Sequence, residues 1–528
     1  MSVTEDSNRG IAVSGWIRKL AIVGLIAGIA WKLGTDGRSI AGNIGRPLVS
    51  YSQGPASDRS VLDTQLYNVS RATLSAPRDL GQGGAIETLS DEVVLVTRRG
   101  DFFLLNEEAG GFEAISWAPP AAIVEDGFYT RAKDNWAVGY QDLKLRRQQD
   151  GHIEIFLSET RPDPDRNCAA LVIYRTTISG RSLEATLRPS DWTQLWSSSP
   201  CIKRPEQSFP LQAGGEMAFM KNGNIAVFAG DFGNDNFNRD APGAEVQNDS
   251  SDYGKVISLN PETRQAQILS KGHRNPGGIA IRPDGEIWLA ENAAEGGDEI
   301  NRIVEGGNYG WPIRTFTTHY GLKSWPAETD EIPPDYVRPA LALVPSPALS
   351  SMAAMSGTEF PAWKGDLILG TLKGQLIYRV HVGDGDVILA EPIDLGFRVR
   401  DLAVDSQGRI YLKADNRGEV IRLSRAASDW EAETPGLLAL RSSGCLSCHA
   451  GWNQSAPGLD GVLGRKVASY PGFQYSSGLR RLEGKWTRAR LEAFLRDPQT
   501  VAPGTTMPAS DLSDDEINKL VDILAEAN

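Results

Sequence analysis

The chain has 528 residues, with 55 glycines, 30 prolines, 67 acidic against 54 basic residues, a net charge of −13, and only four cysteines and five histidines. That length carries two or three domains, the acid excess argues against binding nucleic acid or another polyanion, and four cysteines exclude a disulfide-dense scaffold. Abundant glycine and proline without a collagen period, together with 8% aromatics, indicate a turn-rich β protein rather than a helical bundle.

At the N-terminus, Arg18 and Lys19 precede an unbroken apolar run from Leu20 to Trp31, closed by Lys32. Twelve residues fall short of the roughly 18 expected of a transmembrane helix, and with a basic flank they match the apolar core of a secretory signal. If Lys32 snorkels and Leu33 extends the run, the same segment becomes an uncleaved anchor. A buried helix is the third reading. Gly28-Ile29-Ala30 offers a cleavage site, but the nineteen residues before the run are long for a signal, which favours the anchor. Either export reading leaves the basic residues inside and places the rest in the periplasm, held at the inner membrane if the segment stays. Residues 1–34 are therefore assigned as signal or anchor, and the Gly/Ser/Pro-rich 35–60 as a linker.

From 61 to 424, turn dipeptides separate short β-rich runs. Three share one shape: Asn222-Gly223 before Asn224-Ile225-Ala226-Val227-Phe228, Asp284-Gly285 before Glu286-Ile287-Trp288-Leu289, and Gln407-Gly408 before Arg409-Ile410-Tyr411-Leu412. The glycines are 62 and 123 apart, so the second interval is nearly twice the first. A unit of that size divides the region into close to six, and repeated small sheets with no room for helices predict a six-bladed β-propeller. A pair of packed sheets is the alternative. Cys168 and Cys201 are the two cysteines of this region. In an exported chain they are expected to form a disulfide, the alternative being two buried thiols.

After a short linker at 425–436, residues 437–528 hold the most specific pattern in the chain. Cys445-Leu446-Ser447-Cys448-His449 is a C-x-x-C-H sequence, which offers two thiols for the vinyl groups of a haem and an imidazole for its iron. Zinc or a dithiol couple is the competing use, and zinc would need a further ligand. Met507, in Pro503-Gly504-Thr505-Thr506-Met507-Pro508, lies 58 residues beyond His449 and is the expected second axial ligand. Ser513 and Glu516 predict a capping box, and Ile517, Leu520, Val521 and Leu524 share one face of the helix that follows. Through Gly458-Leu459-Asp460-Gly461, Tyr475-Ser476, Trp486-Thr487 and the Met507 loop, this segment resembles class I cytochrome c of the mitochondrial type, a small all-α domain. The resemblance implies that the Pro457 carbonyl orients His449 and that Tyr475 and Trp486 bond a haem propionate.

The stretch Gly272-His273-Arg274-Asn275-Pro276-Gly277-Gly278, followed by Glu291-Asn292, Gly296-Gly297-Asp298-Glu299-Ile300-Asn301 and Gly307-Asn308-Tyr309-Gly310-Trp311-Pro312, resembles the soluble-type quinoprotein glucose/sorbosone dehydrogenases. Those are six-bladed propellers that bind pyrroloquinoline quinone (PQQ) and calcium. PQQ is planar with three carboxylates, so its site calls for fixed cations and planar donors. The resemblance assigns Lys373, Arg398 and Arg400 to the cofactor, and Arg274 and Asn275 to the neighbourhood of its reactive carbonyl. It assigns calcium to two backbone carbonyls at positions where this chain has Ala293 and Ala294 instead of Gly-Pro.

The family's base is a histidine before a Gly-Gly-Arg turn, and the corresponding Leu211-Gln212-Ala213-Gly214-Gly215-Glu216 puts Gln212 there and Glu216 in place of the arginine. Glutamine is no proton acceptor near neutral pH, where a placed base contributes 10²–10⁴-fold. Asp231, matching the histidine's acidic partner, and Glu216 are the surrogate candidates, with His152 weaker. His273 and His381 are expected to be structural, and His319 lies in a loop a substrate could pass. Two readings follow. In one, the chain is a PQQ- and calcium-dependent dehydrogenase of a sugar or other alcohol or aldehyde, with its own haem c and a downstream respiratory acceptor. In the other, a catalytically degenerate propeller serves as a binding or docking module for an electron-transfer cytochrome.

Overall fold

The computed structural model describes residues 61–77, 80, 83–121, 138–166, 168–180, 182–203, 212–233, 244–317, 335–415, 417–426, 440, 445, 449, 456–459, 461–471, 473–507, 509–510 and 512–526. The apolar run at 20–31, His319 and Cys448 lie outside these residues. Among the described residues no helix is long and apolar enough to cross a membrane.

Among the described residues of 61–426 the regular structure is nearly all β-strand, mostly antiparallel. Four antiparallel strands form the body of each of several small sheets: Gly139–Arg147 to Thr193–Ser197, Gly214–Phe219 to Ala266–Lys271, Pro276–Ile281 to Leu341–Leu343 (with Gly307–Asn308 between them in sequence pairing in the preceding sheet), and Leu349–Ala354 to Asp386–Asp394. A nine-stranded sheet contains two further antiparallel runs, Ala85–Leu89 to Gly111–Ala114 and Val399–Val404 to Glu419–Arg425, joined by the parallel contact of Ser75 with Gly111. Its strand Asn68–Ser75 pairs with Glu419–Arg425, so an N-terminal strand completes the last sheet and ties the two ends of the region together. The arrangement is propeller-like.

Burial explains why the strands read as they do. Ile225–Ala229, Lys255–Leu259, Leu367–Thr371 and Ile410–Ala414 are buried at every position, whereas an outer strand such as Asp386–Asp394 alternates with solvent. A middle strand covered on both faces by neighbouring sheets reads as a continuous apolar run, not as the alternation of a half-buried strand. Accordingly the apolar clusters bridge sheets. Phe156, Leu171 and Ile173 pack with Met217, Val227 and Ile257, and Ala280, Trp288 and Ile300 pack with Met352, Leu367 and Leu369. The three repeated hairpins are equivalent turns, with Gly223, Gly285 and Gly408 at φ of +87°, +102° and +96°, and each leads into the second strand of its sheet.

The first strands meet at the centre. Ala85–Leu89 packs on Gly139–Arg147, which packs on Gly214–Phe219; the sequence continues through Pro276–Ile281, Leu349–Ala354 and Val399–Val404, which returns to Ala85–Leu89. Cys168 and Cys201 form the expected disulfide, Cys168 starting the strand that pairs with Ile202–Lys203.

Residues 477–526 contribute four helices, Ser477–Arg481, Arg488–Arg496, Pro498–Val501 and Asp514–Glu526. Side chains satisfy the free N–H groups at their starts: Ser476 accepts from Leu479, Thr487 from Arg490, and Asp497 from Thr500. Ser513 and Glu516 form the predicted reciprocal box. Ile517, Leu520, Val521 and Leu524 are buried against Leu491, Phe494 and Leu495, as their spacing predicts.

Candidate functional site

A cavity of about 270 Å3 opens where the first strands converge. Gln212, Gly214, Glu216, Asn275, Asn292, Arg398, Arg400, Asp142 and Asp401 are among its lining residues. Five of the positions singled out from sequence, spread over 189 residues from Gln212 to Arg400, thus share one wall.

Gln212 holds a left-handed backbone conformation, φ +62°, at the entry of its strand. The tightness of this corner is set by glycine: a Cβ on Gly230 would lie 1.9 Å from the Gln212 carbonyl oxygen, and one on Gly214 2.4 Å from that of Phe228. With its carboxamide oriented to satisfy both ends, Gln212 donates to Asp231 Oδ1 at 2.8 Å and accepts from Arg274 Nη2 at 3.1 Å. Asp231 is fully buried and also receives the Trp311 indole N–H and the Gly233 N–H, at 2.9 and 2.8 Å. Arg274 is buried, donates to the Asn292 carbonyl at 2.9 Å, and lies 5.2 Å from the centroid of the Trp311 ring. Gln212 is therefore a bridge between an anion and a cation.

Arg398 and Arg400 both reach Asp415, at 2.7 and 3.0 Å. Burial opposes ionisation of Asp415, but the two guanidiniums, Arg400 foremost, hold its carboxyl below the usual range. One carboxylate shared by two guanidiniums leaves a net positive face and fixes the direction of both forks. Lys373 stands apart from that wall. It is about half exposed and pairs with Glu295 at 3.6 Å.

Glu295 belongs to the loop of Ala293 and Ala294, which is held from below. Asp298 Oδ1 receives the Ala293 N–H at 2.9 Å, and Thr317 Oγ1 receives those of Ala294 and Glu295 at 3.0 and 3.2 Å. These side chains impose a loop shape where the Gly-Pro pair is missing by accepting its N–H groups. Among the described residues no cluster of three or more His, Cys, Asp or Glu side chains could hold a metal ion, so a calcium ion here would depend on backbone carbonyls.

The remaining carboxylates of the cavity are unusual. Burial pushes Glu216 up to about 8 and Asp142 up to about 7, and raises Asp401. Sequence reading missed Asp142 and Asp401 entirely. They lie far from Glu216 in the chain, and no local motif marks them. The chamber offers a planar polyanion the guanidiniums of Arg398 and Arg400, while burial weakens its three acids.

The other described histidines of the β region lie outside the cavity wall. His273 is fully buried between Glu291, at 2.6 Å, and Ser270, at 2.8 Å; His381 bonds Asp366 at 2.7 Å. His152 is largely exposed beside Asp150 and is absent from the cavity wall.

A second cavity, of about 720 Å3, lies in the C-terminal segment. Its wall includes Cys445, His449, Tyr475, Trp486 and Met507 together with apolar Leu491, Phe494 and Leu520. His449 Nδ1 bonds the Pro457 carbonyl at 2.7 Å, leaving Nε2 for a metal, and burial lowers its pKa and keeps the ring neutral. The Tyr475 hydroxyl accepts the Tyr470 N–H at 3.1 Å. An apolar chamber with an imidazole, a thioether and a thiol on its wall fits a haem.

Known proteins resemble both parts of the chain. The family model described as Glucose / Sorbosone dehydrogenase matches residues 80–422. The curated relative Aldose sugar dehydrogenase YliI of Escherichia coli is 34% identical over 183 residues, 33% of this chain and 49% of that one, so the chain spans about half of its length. Cytochrome c-type cyt cy of Rhodobacter capsulatus is 42% identical over 65 residues, 12% of this chain and 33% of that one. Among solved structures, the apo-form of the soluble aldose sugar dehydrogenase from Escherichia coli superposes with a TM-score of 0.56 at 24% identity, covering 68% of this chain and 100% of that one, a likeness of fold.

Proposed function

Because the chain belongs to the glucose/sorbosone dehydrogenase family, we propose that it is an exported quinohaemoprotein oxidoreductase. In this reading a six-bladed propeller at 61–424 uses PQQ and calcium to oxidise a sugar or other alcohol or aldehyde. Electrons pass to a covalent haem c held by residues 437–528 and then to a respiratory acceptor in the periplasm, with 1–34 as signal or anchor. The cyclic packing of the first strands supports six blades. The observation that carries the functional reading is the convergence of Gln212, Glu216, Asn275, Arg398 and Arg400 on one cavity.

PQQ, when bound, supplies a two-electron acceptor. The chain's own groups supply the rest. Arg398 and Arg400, oriented by Asp415, and Lys373 from the Glu295 side neutralise and align the carboxylates of the cofactor. Arg274 and Asn275 donate at its reactive edge. Arg274 is held for this by Gln212, the Asn292 carbonyl and the Trp311 ring, so little reorganisation accompanies charge development. The carbonyls of Ala293 and Ala294 would be the calcium ligands. Cys445 and Cys448 would anchor the haem, His449 and Met507 would ligate its iron, and Tyr475 and Trp486 would hold a propionate.

A single observation favours the alternative, a degenerate propeller acting as a binding or docking module: Gln212 stands at the base position, and both ends of its carboxamide are occupied. The test adds PQQ and calcium to the purified full chain and follows haem reduction across a panel of aldoses and alcohols. Substrate-dependent reduction, lost or strongly weakened in Lys373→Ala, supports the dehydrogenase. Failure of PQQ to bind, with no reduction by any substrate, leaves the docking module.

A further inference from the structure

We infer that Glu216 is the catalytic proton acceptor of this cavity, doing through a carboxylate what Gln212 cannot do; the inference rests on the dehydrogenase reading above.

Position comes first. Glu216 lines the same cavity as Asn275, Arg398 and Arg400 and lies on the strand that Gln212 precedes. Gly214 and Gly215, between Gln212 and Glu216, have no side chains to screen it.

Hydrogen bonding then separates Glu216 from the other acids. Asp142 receives the N–H groups of Leu143 and Met217, at 2.8 and 2.7 Å. Asp401 receives those of Leu402 and Ile86, both at 2.8 Å. Asp231 receives three donors, including Gln212 itself. These carboxylates are occupied by the fold. Among the described residues, Glu216 Oε2 is buried and has no hydrogen-bond partner. A buried oxygen without a donor in the protein is expensive unless something supplies one, and a substrate hydroxyl in the cavity is such a donor.

The surroundings set its basicity. Asp142 and Lys144 face it from Gly139–Arg147, and Asp401 from Val399–Val404. Glu87, on Ala85–Leu89, is held by Lys144 at 2.6 Å. Lys413, whose ammonium donates to the Gly83 carbonyl, lies on the strand paired with Asp401, and Arg398 and Arg400 share the cavity wall. Burial is the main influence; a bond from the residue's own backbone N–H to its carboxyl opposes it, Asp142 and Asp401 add to it, and Lys144 opposes it; the result is about 8, with Oε2 still unpartnered. A base poised that close to working pH is effective once ionised.

The step balances. The O–H bond of the substrate breaks and its proton goes to Glu216 Oε2. The adjacent C–H bond breaks, its hydride carries the electron pair to the quinone oxidant, and the carbon–oxygen double bond forms. Glu216 then returns the proton to solvent.

Two measurements test this on the full chain. Infrared titration of the protein without cofactor should show protonated carboxyls lost with a midpoint near 8. Glu216→Gln should remove part of that signal and leave the part due to Glu299, which burial also raises to about 8. With PQQ and calcium bound, the rate of haem reduction should rise with pH through about 8. Glu216→Gln should lower kcat on the order of 10²–10⁴-fold with KM and PQQ affinity little changed. Adding Gln212→His to Glu216→Gln should restore turnover, with its rise moved toward the ordinary histidine pKa of about 6.5. Wild-type turnover in Glu216→Gln, or an unchanged infrared signal, overturns the assignment alone. A wild-type chain that binds PQQ and never reduces its haem overturns the dehydrogenase reading, and the assignment with it.

Discussion

The carboxylate of Asp298 receives the backbone N–H of Ala293 at 2.9 Å and, through its other oxygen, that of Leu349, also at 2.9 Å. One buried side chain thus clamps the loop proposed to bind calcium to the first strand of the next sheet. Asp298→Asn removes one acceptor oxygen and places an amide N–H against a backbone N–H. Calcium affinity of the full chain with PQQ, measured calorimetrically, should fall about 10–100-fold. Thr317→Val should act in the same direction, and Thr317→Ser should restore binding. Unchanged affinity in both Asp298→Asn and Thr317→Val would place calcium elsewhere.

Three carboxyls, Glu216, Asp142 and Glu299, are raised by burial to about 8, 7 and 8. Unfolded, each ionises near its ordinary value of about 4. Between those values the native state holds more protons than the unfolded one, so stability declines as pH rises from about 5 to 8. Thermal melts across that range should show a falling Tm. Glu216→Gln should flatten the fall, because the substituted amide does not titrate.

Met507 supplies the thioether among the lining residues of the C-terminal cavity. Met507→Ala should lower the haem reduction potential by roughly 0.1–0.3 V, within the ~0.8 V span that axial ligands control. Potentiometric titration reads this directly, and an unchanged potential would mean that another group ligates the iron.

The Cys168–Cys201 bridge closes a separation of 33 residues. Loop-entropy reasoning gives about 3–4 kcal/mol for a loop of that length. Replacing both cysteines with serine should lower stability to chemical denaturants by that order, while the haem spectrum stays unchanged.

What could be read in the chain was local. Asn222-Gly223, Asp284-Gly285 and Gln407-Gly408 announce turns because glycine alone accepts their φ without strain, and each does lead into the second strand of a sheet. The face of the last helix followed from its 3.6-residue period, and its cap from the Ser513–Glu516 spacing. Arg398 and Arg400 were identified by resemblance, but their shared partner, Asp415, was not, although it lies on the strand end beside them.

Composition, turn chemistry and short motifs therefore determined the β-rich architecture, the haem-type pattern and the family likeness, since each depends on neighbours in sequence. Tertiary structure decided which side chains can act. Only the meeting of the first strands sets Glu216 beside Asp142 and Asp401 and raises its pKa, and only the fold occupies both ends of the Gln212 carboxamide. The physical reason is that desolvation and the choice of hydrogen-bond partner depend on groups brought together across hundreds of residues. No local pattern encodes that.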